Sequence, residues 1–193
     1  MSNVWTEWGA LTRFLESARV AFARERNLWR SLELSDPESV QITTTTGLRR
    51  YEVGLTNHLA AVDDEVTLYA SVLIHTYALA EAAACRQLAI DSRSSGGIES
   101  WGKRLLDSNR RDWGGVFEGE EGAVEVAVVR SAFAHGTRVI DASSEARLAA
   151  VGAAPRAAGG AVGLTYEELR QYRDRLRSLL RTGGVDLMAP ATT

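Results

Sequence analysis

An arginine and a histidine stand five positions apart in the segment Arg130-Ser131-Ala132-Phe133-Ala134-His135-Gly136. Histidine accepts and donates protons near neutral pH, and the planar guanidinium of arginine makes paired hydrogen bonds to phosphate or carboxylate groups. Ser131 precedes His135 by one helical turn and shares its face of a helix. These residue types predict a site that binds an anion and transfers a proton. The alternative is that His135 only caps a helix end, where a protonated imidazole interacts favourably with the helix dipole.

Other kinds of catalytic site find no support in the sequence. His58, His75 and His135 are the only histidines, and no pair of them has the close spacing of a zinc site. Cys85 is the only cysteine, which excludes an intrachain disulfide and a cysteine-rich metal site. No glycine-rich phosphate loop, nucleophile elbow or HExxH motif is present. We therefore expect neither a metal nor a cofactor.

Two charged residues of the long central helix are supporting candidates for the site. Glu81 lies beside the apolar seam of that helix and could orient Arg130 or His135, although a glutamate at a helix edge is more often solvated. Arg86 follows a little more than one turn later and is a similar candidate. His75 lies in a second apolar stripe of the helix, where a histidine in a core or an interface is the expected interpretation.

The last helix carries a row of arginines. Arg170, Arg173 and Arg177 occupy much of one side of it and could follow a phosphate backbone. A solvated helix face that also contains Glu167 and Asp174 explains the row equally well. Both interpretations stay open at this point.

The elements that position these residues belong to a chain of 193 residues, of which 45% are hydrophobic, with a formal net charge of −3. This size and composition favour one compact domain with a single core. The start of the sequence does not have the pattern of a signal peptide, and no run of about 18 uninterrupted apolar residues is present. We therefore expect a cytoplasmic protein with no membrane contact.

Because Lys103 is the only lysine, arginine supplies 21 of the 22 basic residues, an excess typical of a GC-rich genome. At this net charge, any RNA binding must use a local arginine-lined cleft.

Hydrophobic periodicity predicts the helices. An amphipathic helix over 3–34 precedes a loop over 35–54, and the central helix runs over about 55–91 with apolar residues on two sides. A shorter helix over 98–109 and a helix from about 120 to 136 follow, the latter ending at Gly136 as a C-cap. A helix apolar on two sides is buried on both, either inside a bundle or between two copies of the chain.

The C-terminal part of the chain has its own signals. Thr137–Ile140 and Ala161–Leu164 are short β-prone segments on either side of an alanine- and glycine-rich stretch, and they predict a small irregular β-hairpin. Thr165 and Glu168 match a capping box that starts the last helix. The expected fold is an all-α, up-and-down helical bundle with that hairpin before the last helix. It forms one domain over 1–182, with a flexible tail over 183–193.

Residues 130–136 and this order of elements resemble the HEPN superfamily of small α-helical proteins. Its signature is an arginine, a polar residue, three variable residues and a histidine, often followed by glycine, and Arg130, Ser131, His135 and Gly136 match it. The polar position is most often asparagine in the family and is serine in this chain. A tyrosine that some members carry two residues after the histidine is replaced by Thr137. The resemblance covers about 55–181, and the helix over 3–34 is additional to it.

Many HEPN proteins are metal-independent ribonucleases, so the resemblance implies the same activity for this chain. His135 would transfer protons to or from the ribose 2′-hydroxyl and the leaving 5′-oxygen, Arg130 would stabilise the charge on phosphorus, and Ser131 would support them. Family members form homodimers in which two motifs face one cleft, and the second apolar stripe offers a surface for that.

Two functions therefore follow from the sequence. The first is a homodimeric ribonuclease that acts as a toxin or in defence, as one half of a toxin–antitoxin pair with an antitoxin or regulatory protein as its partner. The second is a catalytically silent HEPN-type dimer that binds RNA, a nucleotide or a partner protein. The intact Arg130 and His135 pair favours the first function, whereas Ser131 and the negative net charge favour the second.

Overall fold

The structure is a computed structural model that describes residues 3–47 and 49–185. Within them 68% of the chain is helical, and seven α-helices accompany one two-stranded antiparallel sheet. The mainly helical class predicted from the sequence is confirmed. The elements are, in chain order, α1 (Val4–Arg30), β1 (Gln41–Thr46), β2 (Arg49–Gly54), α2 (Leu55–Asp63), α3 (Glu65–Leu88), α4 (Ile98–Ser108), α5 (Gly119–Ala134), α6 (Ala142–Ala150) and α7 (Tyr166–Thr182).

The contacts within the chain divide it into two compact units. The smaller unit is Thr12–Leu68, and the larger unit comprises the chain up to Leu11 and from Tyr69 onward. Each unit is described by itself below. The single domain expected over 1–182 stays a prediction.

In the smaller unit, the prediction of a loop over 35–54 is wrong for most of that segment. Residues Gln41–Thr46 and Arg49–Gly54 pair as an antiparallel hairpin, with Gln41 opposite Gly54. The run of threonines explains the strands, because β-branched side chains favour extended backbone. Gly47 has a φ of +61° and permits the tight turn between them.

Charged side chains connect the helices of this smaller unit. The guanidinium of Arg26 donates to the carbonyl of Val62 at 2.7 Å and pairs with Glu65 at 2.8 Å. The ring of His58 lies 3.0 Å from the carboxylate of Glu25. His58 is therefore used in a local contact of this unit.

The central helix predicted over 55–91 is two helices, α2 and α3, with a break at Asp64. Both carboxylate oxygens of Asp64 bind Thr67, one accepting from its backbone N–H at 3.1 Å and the other from its hydroxyl at 2.6 Å. This is the geometry of an N-cap, and it starts α3 afresh. The hydrophobic periodicity did not reveal the break, because the apolar residues keep their helical spacing on both sides of Asp64.

In the larger unit, α5 is the most buried element and packs against α4, α6 and α7. Most of its length is buried, including Val124, Val126, Val128 and Val129, each at 0% exposure. The helices around it turn single apolar faces toward the core, for example Trp101 and Leu105 of α4. The larger unit therefore has its core around α5.

An ion network joins α5 to α7 inside this unit. Glu125 of α5 pairs with Arg175 at 2.7 Å and receives a hydrogen bond from Arg156 at 3.1 Å. Arg175 also pairs with Glu118, and Arg175 is only 7% exposed. Burial raises the pKa of the Glu125 carboxyl, but the hydrogen bonds from Arg156 and Arg175 outweigh it and hold the pKa below its ordinary value.

The predicted hairpin before the last helix is present only as a short, irregular pairing. Val139 and Ala161 form one antiparallel bridge, and Val162 donates to the carbonyl of Arg138 at 2.9 Å. The stretch between the paired segments contains α6, which the sequence analysis did not predict. Asp141 caps α6 by accepting the N–H of Ser144 at 2.6 Å.

The remaining helices are close to their predicted bounds. The helix predicted over 3–34 is α1, which Asn3 caps by accepting the N–H of Trp5 at 3.0 Å and which ends at Arg30. The capping box of Thr165 and Glu168 is present at the start of α7. Most of the tail predicted as flexible over 183–193 lies outside the described residues.

One helix of the described residues, Glu65–Leu88, is long and apolar enough to cross a membrane by length and composition alone. Most of it is buried in the fold, as is common for the core helix of a globular protein.

Candidate functional site

Residues 130–135 lie at the C-terminal end of α5, in the larger unit. Arg130 and Ser131 are half-buried and belong to the last turns of α5, whereas His135 is exposed and follows the final helical residue. The N–H of His135 donates to the carbonyl of Ser131 at 3.0 Å. The end of the most buried helix of this unit thus delivers an exposed imidazole to solvent.

The chain turns away from the helix directly after His135. Gly136 has a φ of +70°, which a glycine adopts without strain. The N–H of Arg138 and the hydroxyl of Thr137 both donate to the carbonyl of Ala132, at 3.1 and 3.3 Å. These bonds satisfy a carbonyl at the helix end. Thr137 is therefore used in a structural hydrogen bond.

Arg130 lies on an aromatic ring. Its guanidinium carbon is 5.2 Å from the centre of the Tyr77 ring, within the range of a cation–π contact. Its Nε atom is buried and has no hydrogen-bond partner among the described residues. Tyr77 is 6% exposed and in turn packs edge-on against Trp101, with ring centres 6.2 Å apart. The aromatic pair therefore fixes the direction of the Arg130 side chain.

The electrostatic surroundings of Tyr77 keep its hydroxyl protonated. Burial, reinforced by the negative charges of Glu81 and Glu99, raises the pKa of Tyr77 to about 12. At neutral pH the ring is neutral, so it acts on Arg130 through its π face and not as an anion. Glu99 is paired with Arg147 through two hydrogen bonds, at 2.9 and 3.1 Å.

Glu81 and Arg86 do not contact the motif. The Glu81 carboxylate accepts a hydrogen bond from the Ser95 hydroxyl at 2.9 Å, and in the described residues no ion pair joins it to Arg130 or His135. Arg86 is exposed near the C-terminal end of α3. What Glu81 and Arg130 have in common is that the charge of each acts on Tyr77.

His135 has an acidic neighbour that the sequence analysis did not single out. Hydrogen bonds from Ser144 lower the pKa of the exposed Asp141 carboxyl, and Arg147 and then His135 add smaller electrostatic effects in the same direction. Asp141 lies six residues after His135, beyond the turn at Gly136. The signal in the sequence is that an aspartate at this position can be the N-cap of a helix, which would have placed Asp141 at the start of α6.

Arg130 and His135 leave the helix in different directions. Five residues correspond to a rotation of roughly 140° about the helix axis, while Ser131 and His135 lie about one turn apart on one face. The motif thus presents a half-buried arginine on one side and an exposed histidine on the other.

The arginines predicted along the last helix fall into three environments. Arg173 is 6% exposed, with its guanidinium 5.3 Å from the centre of the Trp8 ring. Arg177 stacks on the same ring at 5.7 Å and also pairs with Asp174 at 3.6 Å. Arg170 lies at the start of α7, exposed, over Tyr166. They are therefore not one continuous solvent-facing row.

The structure also bears on metal binding and on the position of His75. Among residues 3–47 and 49–185, no three His, Cys, Asp or Glu side chains cluster so that they could hold a metal ion. His75, expected in a core or an interface, is exposed on α3.

Comparison of the chain with protein-family models, with curated proteins and with solved structures finds no match.

Proposed function

We propose that this protein is a metal-independent endoribonuclease of HEPN type that acts in the cytoplasm as a toxin or defence effector, under the control of an antitoxin or another regulatory protein. The observation that carries the proposal is the exposed His135 at the end of α5, five residues after an arginine whose guanidinium is fixed over Tyr77. The mainly helical frame and the irregular pairing between α5 and α7 are consistent with it.

The chemistry uses only groups of the protein and of RNA. The imidazole of His135 accepts the proton of a ribose 2′-hydroxyl, and the 2′-oxygen attacks the adjacent phosphorus. The bond from phosphorus to the 5′-oxygen breaks, and that oxygen takes a proton from an imidazolium. The products are a 2′,3′-cyclic phosphate and a 5′-hydroxyl. The Arg130 guanidinium stabilises the extra negative charge on phosphorus in the transition state.

A second copy of the chain completes the site in this proposal. One histidine cannot be both the base and the acid of a single step, and the side chains of Arg130 and His135 diverge by roughly 140° around one helix. Two motifs that face one cleft supply two imidazoles, one neutral and one protonated. The exposed side of α3 carries Ser71, Ala78 and Ala82, small residues that permit close helix packing in such a dimer.

A catalytically silent RNA-binding or protein-binding dimer is the second candidate, and one observation favours it. The Nε of Arg130 is buried, and its guanidinium packs on Tyr77, so the arginine has a structural role whether or not it meets a phosphate. In this alternative His135 is only a helix cap.

Cleavage of RNA in the presence of EDTA separates the two candidates. Purified protein is incubated with mixed single-stranded and structured RNA, beside His135→Ala, Arg130→Gln and the control His58→Gln, which removes an imidazole from the smaller unit. We expect the wild type and His58→Gln to release 2′,3′-cyclic phosphate ends. Loss of His135 should lower the rate by about 100-fold or more. Absence of cleavage by the wild type, or equal cleavage by His135→Ala, removes the ribonuclease proposal.

A further inference from the structure

Three helices of the larger unit end around a single backbone carbonyl. The carbonyl oxygen of Gly183, directly after α7, accepts a hydrogen bond from the side-chain amide of Gln87 in α3 at 2.9 Å. It accepts a second from the amide of Asn109, directly after α4, at 2.6 Å. The C-terminal ends of α3, α4 and α7 are thereby held side by side.

Arginines flank each of the three residues that meet at this carbonyl. Arg86 precedes Gln87, Arg110 and Arg111 follow Asn109, and Arg181 lies two residues before Gly183. All four are exposed. We call these four residues the basic end.

Carboxylates of the described residues do not neutralise most of this charge. Arg86, Arg110 and Arg111 have no ion-pair partner among residues 3–47 and 49–185, whereas Lys103, about two turns earlier on α4, is paired with Asp107 at 2.9 Å. In a chain with a net charge of −3, such a local concentration of guanidinium groups is a candidate anion-binding surface.

Aromatic side chains accompany the arginines. Arg181 stacks on Trp5 with its guanidinium carbon 5.4 Å from the ring centre, so its side chain is ordered before any ligand arrives. Phe117 is 50% exposed, and its N–H donates to the Ser178 hydroxyl at 2.9 Å, which places it beside α7 between the positions of Arg177 and Arg181. Arginines that bind phosphates next to an exposed ring that can stack on a base are the pattern of a single-stranded nucleic-acid surface.

We propose that the basic end, together with Phe117, is the surface on which this protein holds the backbone of single-stranded RNA. The inference rests on the proposed function, because it names where the substrate of that function binds away from the motif. Guanidinium groups make paired hydrogen bonds to phosphate oxygens, and Phe117 stacks on an unpaired base. An acidic protein segment would use the same charges but would gain nothing from the exposed ring.

A structural role for the arginines is the competing explanation. Cations at the C-terminal ends of helices interact favourably with the helix dipoles, and this alone could account for their positions. In that case their removal lowers the stability of the protein and leaves its affinity for RNA unchanged.

The test measures binding separately from cleavage. The probe is a fluorescein-labelled 2′-O-methyl RNA of about 12 nucleotides, which lacks the free 2′-hydroxyl that the proposed cleavage requires. Fluorescence anisotropy gives its Kd at several salt concentrations. Four phosphate contacts predict a slope of log K against log salt of about −3.

The variants remove two arginines at a time. Arg110→Gln with Arg111→Gln should halve the salt slope and weaken binding by about 25-fold at 0.1 M salt, about fivefold for each lost phosphate contact. Replacement of both by lysine keeps the charge and should retain most of the affinity. Arg13→Gln removes the same charge from an exposed position of α1 in the smaller unit and should bind like the wild type. Phe117→Ala should weaken binding to RNA but leave the salt slope unchanged.

The outcomes decide the proposal independently of catalysis. A circular dichroism melt of each variant confirms that it is folded before binding is measured. Unchanged binding by the double glutamine variant, equal weakening by Arg13→Gln, or equally tight binding of polyglutamate overturns the inference. If binding changes as expected but unmodified RNA is not cleaved, the inference holds and the ribonuclease function fails. If cleavage depends on His135 but RNA binding does not depend on the basic end, the ribonuclease function holds and the inference fails.

Discussion

At the scale of single residues, Tyr77 is the side chain that most directly determines how Arg130 is presented. Its buried ring lies under the guanidinium, and Trp101 holds it from the other side. The ring and not the hydroxyl provides the contact, since the pKa of Tyr77 is raised to about 12 by burial and the hydroxyl stays neutral.

Replacement of Tyr77 by phenylalanine should therefore cost little, whereas replacement by leucine should remove the cation–π contact. In a double-mutant cycle with Arg130→Met, urea unfolding should give a coupling energy of about 0.5–2 kcal/mol between ring and guanidinium. The cycle built from Tyr77→Phe should give almost none. A coupling near zero in the leucine cycle would show that Arg130 does not depend on this ring.

The sequence identified the motif residues but not their surroundings. Arg130, Ser131 and His135 are adjacent along the chain, so their types and spacing are visible in it. Tyr77 is visible only as one member of an apolar stripe, because nothing local indicates that residue 77 meets residue 130. Contacts between residues so distant in sequence depend on how the helices pack, which periodicity does not specify.

At the scale of secondary-structure elements, the capping box at Thr165 gives a direct test of how α7 begins. The Thr165 hydroxyl accepts the N–H of Glu168, and the Glu168 carboxylate accepts the N–H of Thr165. Thr165→Ala should lower the free energy of unfolding in urea by about 1 kcal/mol. The control Thr45→Ala, on the exposed strand β1, should change it by less than about 0.5 kcal/mol. Equal effects of the two would mean that the cap does not stabilise α7.

The ion network between α5 and α7 predicts loss of stability in acid. Because the pKa of Glu125 lies below its ordinary value of 4.5, the folded chain binds fewer protons there than the unfolded chain. Its contribution is complete above about pH 4.5 and is lost as the pH falls through the lower value of the folded state. The urea concentration at the midpoint of unfolding should therefore decrease as the pH is lowered below about 4.5.

Glu125→Gln tests this origin. It should lower stability at pH 7 by roughly 2–3 kcal/mol, because Arg175 is nearly buried and keeps only Glu118 as an ion-pair partner. The variant should also lose less stability than the wild type between pH 5 and pH 3. An unchanged acid profile would assign the acid sensitivity to other carboxylates, such as Glu99.

Some elements were predictable from the sequence because their signals are local. The start of α7 follows from a capping box, and α4 has a clear apolar face of Trp101, Leu105 and Leu106. The hairpin of β1 and β2 was missed because its strands are exposed and lack the alternation of apolar and polar residues that marks a half-buried strand. Helix α6 was missed because alanine, serine and glycine around it resemble a loop.

At the scale of the whole molecule, the described residues contain regions of very different burial. Helix α5 is buried along most of its length, whereas β2 is exposed at five of its six positions. Hydrogen exchange should therefore be slow for amides of α5, at rates set by global unfolding, and faster by at least about 100-fold for amides of β2. Mass spectrometry of deuterated peptides measures both. Equal protection would indicate that the hairpin is covered in solution, for example by a second copy.

The composition of α5 has a consequence for how the protein is made. Its four fully buried valines are poor helix formers in isolation, so the helix depends on its neighbours, and Glu125 reaches its partner Arg175 only through α7. While the chain emerges from the ribosome, α5 will gain stable structure only after α7 has been synthesised. Arg130 and His135 should therefore acquire their final positions late in translation, and nascent chains that stop before residue 175 should present neither side chain in its native place.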